Sequence, residues 1–507
     1  MNRSIHMTTY SAVYLGSAFL ALIVTPAVIK LAQRIDAVDR PGVRTIHERP
    51  VPRIGGVAIF VSAVAVLVAV LFLDNGFAEA FRGNRLQVTT LLGAAASIFA
   101  VGLIDDLKRL PARVKFLTQL LAVVALCLAG VRITDIAVTS SLVVPLGGWG
   151  CLFTFLWVVG ITNAVNLSDG LDGLAAGISA IACAVIAVLA IHNGAVVMAV
   201  FALAVVGSLS GFLVFNFNPA KIFMGDCGSQ FLGFVIAGSS VMCITKSSAI
   251  VGLALPALAL GVPILDTLCS MLRRFLERRS LFAADRRHFH HRLMDLGLHQ
   301  RHVVVTIYLV TLVITGLGLF MLVSRDRAAV VIFACTLLLL LLLFRVVGVV
   351  RLRETMKRLQ ERYSVNRICK QERQVFEQLQ LQFRRVANND QWWQAACEAA
   401  QRMDFAYLSL QTIYDKGRDE TEVWRAPSVK TNMSRLIKMT IPFGNGGAGV
   451  RQEFEIAIWA NGSIEAASRR ATLFGRLLDE ADVAGSSQRL ATNSQRSGMC
   501  HIGELNG

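Results

Sequence analysis

The sequence predicts an all-α polytopic membrane protein of about eleven transmembrane helices, followed by a C-terminal cytoplasmic α+β domain. Three observations carry that prediction. The first 350 residues repeat apolar runs of about 17–25 residues, the length a helix needs to cross a bilayer. Hydrophobic residues make up 54% of the 507 and charged residues 17%, a more apolar balance than soluble domains show. Beyond about Phe344 the runs stop and mixed helix and strand patterns begin.

Taken in order, the runs fall near 10–29, 54–73, 87–104, 116–133, 150–165, 177–193, 195–215, 230–246, 250–271, 303–323 and 327–347. No small-residue cleavage site follows the first, so it reads as a span rather than a removed signal peptide. Loops 30–53, 105–115, 163–176, 216–229 and 272–302 lie on one side and hold most of the basic residues, among them Arg53, Lys108, Arg113, Lys115, Lys221 and Arg273. Positive charge collects on the cytoplasmic side, which puts the N-terminus outside. An odd number of spans then leaves the C-terminal region in the cytoplasm. The expected organisation is a transmembrane domain over 1–349, a helical linker over 350–386 with Leu at helical spacing, a small α+β domain over 387–484, and a disordered Ser/Gly/Asn-rich tail over 485–507. Within the third part, 405–413 and 454–460 read as strands and 463–482 as a helix.

The net charge of +16 could point to nucleic acid. Basic residues in cytoplasmic loops facing anionic lipid explain it better, so nucleic acid is not an expected partner. The ten cysteines form no CxxC pair and most lie inside apolar runs, which argues against a zinc site or a disulfide framework.

Carboxylates at membrane edges are expensive and therefore functional candidates. Asp105–Asp106 ends one apolar run and precedes Arg113 and Lys115, cations suited to phosphate oxygens. In Asn166-Leu-Ser-Asp169-Gly-Leu-Asp172-Gly the two aspartates are three apart and share a face in a helical turn. A capped helix start needs one such residue, not four polar positions and two glycines. Asn216-Phe-Asn-Pro219-Ala-Lys-Ile-Phe223-Met-Gly-Asp226-Cys-Gly is a helix broken by its proline. Asp226 there is a candidate Mg²⁺ ligand. Phe223 could stack on a base, although a lone Phe at a membrane edge more often packs. Arg286-Arg287-His288-Phe-His290-His291-Arg292 is the most basic loop and a candidate phosphate site. The loop with Arg44, His47, Arg53, Gly55 and Gly56 suits phosphate or headgroup contact and, equally, plain positive-inside charge. Asp266, inside the ninth run, reads as a buried acid paired with an Arg. All the main motifs fall on the same side, which argues for one composite site.

In this order, DDLKRLPARVKF, NAVNLSDGLDGLAAG, NFNPAKIFMGDCGS and DRRHFHHRL resemble the polyprenyl-phosphate N-acetylhexosamine-1-phosphate transferases over residues 10–347. The resemblance implies transfer of a sugar-1-phosphate from a UDP-sugar to undecaprenyl phosphate with release of UMP, Mg²⁺ (or Mn²⁺) as cofactor, and the bilayer of a bacterial inner membrane as partner; whether the chain forms a homodimer stays open. It implies Asp226, with Asp169, as metal ligands. It implies that Asp105 and Asp106 bind or deprotonate the lipid phosphate beside Lys115. Asn166, Asp169, Asp172, Asn216 and Phe223 would surround the uridine or its diphosphate. Arg287, His288, His290 and His291 would contact phosphates, or the histidines would help shape the site, with His290 and His291 as catalytic groups. The peptidoglycan branch, phospho-N-acetylmuramoyl-pentapeptide transferase, typically carries three consecutive histidines. Here Phe289 interrupts them, which looks like the branch that starts O-antigen, common antigen or teichoic-acid linkage synthesis, with UDP-GlcNAc or a related UDP-N-acetylhexosamine as donor. The region after 350 lies outside the family pattern.

Two other classes compete. A transporter or lipid flippase would place charges near the bilayer midplane, often in inverted repeats, whereas these acids sit at span ends on one side. A membrane-anchored sensor would make the C-terminal domain the main business of the chain.

Overall fold

The computed structural model describes residues 3–41, 50–73, 75–137, 142–244, 249–277, 288–322, 324, 326–347, 352–386, 388–414, 419–426, 436–446, 450–460 and 464–479. The expected sites at Arg44, His47, Arg286 and Arg287, and the expected tail, lie outside these residues. The chain divides into two compact units, Met1–Thr355 and Met356–Gly507.

The first unit runs α1 (Arg3–Arg34), β1 (Val38–Asp39), β2 (Val51–Pro52), α2 (Gly56–Leu73), α3 (Asn75–Gly83), α4 (Arg85–Lys108), α5 (Ala112–Leu128), β3 (Asp135–Ala137), β4 (Val143–Pro145), α6 (Gly150–Ser168), α7 (Leu174–His192), α8 (Val196–Asn216), α9 (Gly225–Ile244), α10 (Ala249–Ala259), α11 (Gly261–Leu276), α12 (Phe289–Asp295), α13 (Gln300–Leu319) and α14 (Asp326–Val346). Among the described residues, seven helices are long and apolar enough to cross a membrane, or nine if each of two bent pairs is one span. Eleven spans are therefore not found as such among the described residues. The run near 250–271 is α10 and α11, bent by 78° where Gly261 and Pro263 interrupt the helix. The run near 54–73 likewise belongs to a bent pair, α2 with α3. At 17 residues α5 is short, and α9 opens on a polar turn, Gly-Asp-Cys-Gly-Ser-Gln.

That polar opening suits the place of α9, which packs against α2, α4, α6, α7, α8 and α10. Phe231, Leu232, Phe234, Val235, Ile236 and Ala237 are all buried, the pattern of a helix enclosed on every side. Phe60 of α2 stacks on Phe99 of α4 with centroids 4.2 Å apart, and both meet Phe231 of α9 edge-on. This aromatic knot ties the three helices that carry the site. Closer to their ends, α4 meets α9 through Gly102. A Cβ there would stand 2.7 Å from the Cys227 Cα and 2.8 Å from the Asp226 carbonyl.

The second unit holds α15 (Leu352–Phe383), α16 (Asn389–Arg402), β5 (Phe405–Tyr414), β6 (Asp419–Arg425), β7 (Leu436–Gly446), β8 (Val450–Trp459) and a helix over 464–479. Its four strands form one antiparallel sheet in the order β6-β5-β8-β7. Leu408 and Leu410 of β5, with Phe454, Ile456 and Ile458 of β8, bury one face. Phe383, Ala396, Ala400, Phe474 and Leu478 from the helices join them in one core. Strands β6 and β7 go beyond the two that the sequence suggested. Asn388 caps α16, accepting from the Gln391 N–H at 2.8 Å. The buried Arg470 donates to the carbonyls of Met403 (3.0 Å) and Trp459 (2.8 Å), fixing the last helix to the sheet.

Because backbone, not a flexible side chain, faces Gly102, Gly102→Ala should destabilise the first unit by about 1–3 kcal/mol through overpacking. Thermal unfolding of the purified protein in detergent should show this as a lowered midpoint.

Candidate active site

The site begins where α4 ends. Arg109 takes the left-handed conformation (φ 52°) and its N–H closes the helix on the Asp105 carbonyl at 2.8 Å. Pro111 then starts α5, and the reversal brings Lys115 back over Asp105. The Lys115 ammonium donates to Asp105 Oδ2 at 3.0 Å and to Asp226 Oδ2 at 2.7 Å. All three side chains are partly exposed, at 23%, 13% and 27% for Lys115, Asp105 and Asp226, so the bridge is open to a ligand. The backbone N–H of Leu110 holds the other Asp105 oxygen.

Asp106 is placed differently from its neighbour. Its two oxygens accept from the backbone N–H groups of Asp226 and Cys227, each at 3.0 Å. It therefore caps the N-terminus of α9, where a carboxylate meets unpaired amides and a favourable dipole. The turn into that cap needs Gly225, at φ +76°, where a Cβ would stand 2.6 Å from Asp106 Oδ2. Arg53 donates to the carbonyl of Asp106. The segment after β2 runs alongside, with Phe223 N–H bonded to the Pro52 carbonyl (2.7 Å), Gly55 N–H to the Phe223 carbonyl (2.9 Å) and Gly56 N–H to the Met224 carbonyl (2.8 Å). The basic loop flagged in the sequence thus splints the Asp226 turn, and Phe223 is fixed by its backbone.

The residues after α6 divide between bracing and an open acid. Asp172 accepts from Asn218 Nδ2 (2.9 Å) and from the Ala220 N–H (3.1 Å). Asn216 donates to the Ile222 carbonyl at 2.8 Å, and Asn166 accepts from Ser229 Oγ at 2.8 Å. These three, expected around a uridine, hold the 217–224 turn and the first turn of α9. Asp169 has no hydrogen-bond donor among the described residues. Burial, and then the charges of Asp226, Asp106 and Asp172, push its carboxyl up to about 8. Over this segment lies α13. Tyr308 donates to the Gly173 carbonyl, and Arg301 sits over the Phe217 ring at 5.7 Å.

The histidines dock from the far side. Asp266 of α11 faces His288 Nδ1 at 3.1 Å and accepts from the Phe289 N–H at 2.9 Å, anchoring the start of α12. The expected arginine partner of Asp266 is thus replaced by a histidine. Phe289 turns inward and stacks on Phe344 with centroids 4.6 Å apart. The rings of His288 and His290 are parallel, 5.6 Å apart, and His291 lies 4.5 Å from His290. His290 packs on the Asp169–Asp172 segment, its Nε2 3.0 Å from where a Gly170 Cβ would stand. Burial first, and then His291, lower its imidazole to about 3, so it is neutral rather than a cationic phosphate ligand. Sequence reasoning missed the roles of Asp266, Arg53 and Tyr308. Only the rarity of a buried acid hinted at the first.

Among the described residues no group of three or more His, Cys, Asp or Glu could hold a metal. Mg²⁺ asks for less, commonly one or two carboxylates completed by water and substrate phosphate. Asp169, with no donor, beside the charge of Asp226, fits that need: two hard oxygen ligands whose repulsion a cation would relieve.

Comparison with known proteins shows what the chain as a whole is similar to. The profile of glycosyl transferase family 4 matches residues 88–244, which run from α4 to the end of α9. The chain is 41% identical over 301 residues to a probable undecaprenyl-phosphate N-acetylglucosaminyl 1-phosphate transferase of Bacillus subtilis, covering 59% of this chain and 80% of that protein. It is 36% identical over 325 residues to the decaprenyl-phosphate N-acetylglucosaminephosphotransferase of Mycobacterium leprae, covering 58% and 79%. A phospho-N-acetylmuramoyl-pentapeptide-transferase of Desulforudis audaxviator is 35% identical over 335 residues, covering 60% and 96%. With its acids and lysine gathered at the ends of apolar helices, the chain belongs to the polyprenyl-phosphate N-acetylhexosamine-1-phosphate transferases and is a membrane phosphoglycosyltransferase.

Proposed function

We propose that this protein transfers N-acetylglucosamine-1-phosphate from UDP-GlcNAc to undecaprenyl phosphate, releasing UMP and starting a lipid-linked cell-surface glycan such as O-antigen. The observation that carries the reading is the Asp105–Lys115–Asp226 bridge with the open Asp169 beside it. The reaction lies at the cytoplasmic face of the inner membrane, supported by the basic residues that gather on the side of these motifs. The 41% identity to the Bacillus subtilis transferase supports the donor.

Phosphoryl transfer depends on positioning and charge stabilisation. Lys115 has three ammonium protons. Two are committed to Asp105 and Asp226, which leaves one for a phosphate oxygen. Asp226 and Asp169 would hold Mg²⁺. When bound, that ion neutralises diphosphate charge and stabilises the leaving UMP. Asp105 holds Lys115 and faces the acceptor phosphate, which is already largely ionised near neutral pH and needs no strong base. Asp106 acts at one remove, keeping the first turn of α9 in place. His290, neutral and buried, shapes the wall over Gly170 and can donate one hydrogen bond without adding charge. A second reading, phospho-N-acetylmuramoyl-pentapeptide transfer, is favoured by the 35% identity that covers 96% of the Desulforudis audaxviator protein.

Purified protein given Mg²⁺, undecaprenyl phosphate and a panel of UDP-sugars should release UMP from UDP-GlcNAc only when the lipid is present. Asp226→Asn should lower kcat by about 10³-fold or more, as loss of a charge-stabilising group does. Release from UDP-N-acetylmuramoyl-pentapeptide instead would select the second reading. Release without lipid would replace direct transfer by a covalent aspartyl intermediate.

The raised Asp169 carboxyl gives the metal step a pH dependence. The cation binds the ionised acid, so below about 8 binding must expel a proton. Mn²⁺ affinity, read by titration calorimetry, should rise with pH up to about 8, by as much as about tenfold per unit, and level off above. Asp169→Asn should flatten the profile.

The relatives account for 58–60% of this chain, and we assign the second unit a regulatory or scaffolding role. Deleting residues 356–507 should leave acceptor-dependent UMP release within about twofold of the full chain in the same assay.

A further inference from the structure

We propose that three amides, the half-buried Asn163 of α6 and the buried Gln119 of α5 and Gln230 of α9, form a positioning relay that fixes the carboxylate of Asp226. Asn163 Nδ2 donates to Gln119 Oε1 at 3.0 Å, Gln119 Nε2 to Gln230 Oε1 at 3.4 Å, and Gln230 Nε2 to Asp226 Oδ2 at 3.0 Å. Gln119 and Gln230 are 3% and 2% exposed. None of the three amides belongs to the set that would touch substrate or metal.

The chain has a direction, and both ends set it. Asn163 Nδ2 also donates to the Val159 carbonyl of its own helix at 2.8 Å, so its NH₂ group is the one turned towards Gln119. A carboxylate accepts only, so Gln230 must present its NH₂ group to Asp226. Every amide between follows, and flipping one alone would set like groups against each other. Simple satisfaction of buried amides would not require this. Each could bond a nearby backbone carbonyl, and side chain–side chain bonds are the minority class in proteins, about 10–15%. Three in series, from three helices, ending on the same oxygen that Lys115 holds, are a device for orienting Asp226. With both donors on Oδ2, Oδ1 stays outside these bonds.

The proposal rests on the reading of Asp226 as a metal ligand, and groups that orient a ligand typically change metal affinity by about 10–100-fold. The test uses Mn²⁺ alone with the full-length protein in detergent, free Mn²⁺ being read by electron paramagnetic resonance without UDP-sugar or lipid. Gln230→Leu should raise the Kd for Mn²⁺ about 10-fold, and Asn163→Leu, three bonds from the carboxylate oxygen, about 3-fold. The double variant should bind no more weakly than Gln230→Leu, because Asn163 acts only through Gln230. Kd values within about twofold of the wild type in both single variants, or additive losses in the double one, would overturn the relay. A merely structural role lowers the unfolding midpoint and leaves the Kd in place. If Gln230→Leu does not give monodisperse protein, Gln119→Met breaks the same chain one step further from Asp226 and carries the same expectation. A wild type that binds no Mn²⁺ would overturn the metal reading, and the relay with it. Wild-type binding lost in Asp226→Asn but kept in the amide variants would overturn the relay alone.

Discussion

One ammonium group holds the site together. Lys115 bridges Asp105 on α4 and Asp226 on α9, two carboxylates whose charges would otherwise repel at the edge of an apolar bundle. Much of the local fold makes that contact reachable. The left-handed Arg109 and Pro111 reverse the chain so that Lys115 returns over the helix it has just left. Gly102 lets α4 come within backbone contact of α9. Gly225 lets the chain turn into α9 directly on the Asp106 carboxylate. The residues around 50–56 then splint that turn through backbone hydrogen bonds.

The polar residues of the site were legible in the sequence because each interrupts an apolar run, and a bilayer makes such interruptions costly. What each one bonds was not legible. Asp172 and Asn216, expected around the uridine or its diphosphate, also brace the turn between α8 and α9. Their partners lie 46 and 6 residues away and leave no periodic trace. Asp266 looked like half of an ion pair, and it instead seats His288 and the start of α12 from 22 residues upstream. The histidines were legible as a phosphate-contacting or site-shaping group, but the burial that lowers the His290 imidazole to about 3 was not. Composition shows that a charge or an imidazole is present. Packing decides what state it is in.

The number of spans shows the same division. Hydropathy located the apolar segments but could not see that the run near 250–271 turns through 78° at Gly261. It also treats polarity as a mark against crossing. Yet α9, whose polar opening carries Asp226, Ser229 and Gln230, is packed by six neighbouring helices. The helix least like a lipid-facing span is the one that the bundle is built around.

The adjacent acids Asp105 and Asp106 make the geometric point most sharply. One residue along a helix is a rotation of about 100°, so two neighbouring carboxylates leave the helix in different directions. Asp105 turns to Lys115 and stays partly exposed. Asp106 turns to the amides of Asp226 and Cys227 and is buried. The second acid thereby fixes the backbone of the residue whose side chain the first acid shares through Lys115. The pair is not a duplicated function. Helical pitch sets one carboxylate to hold the architecture of α9 and the other to hold its charge, and both converge on Asp226.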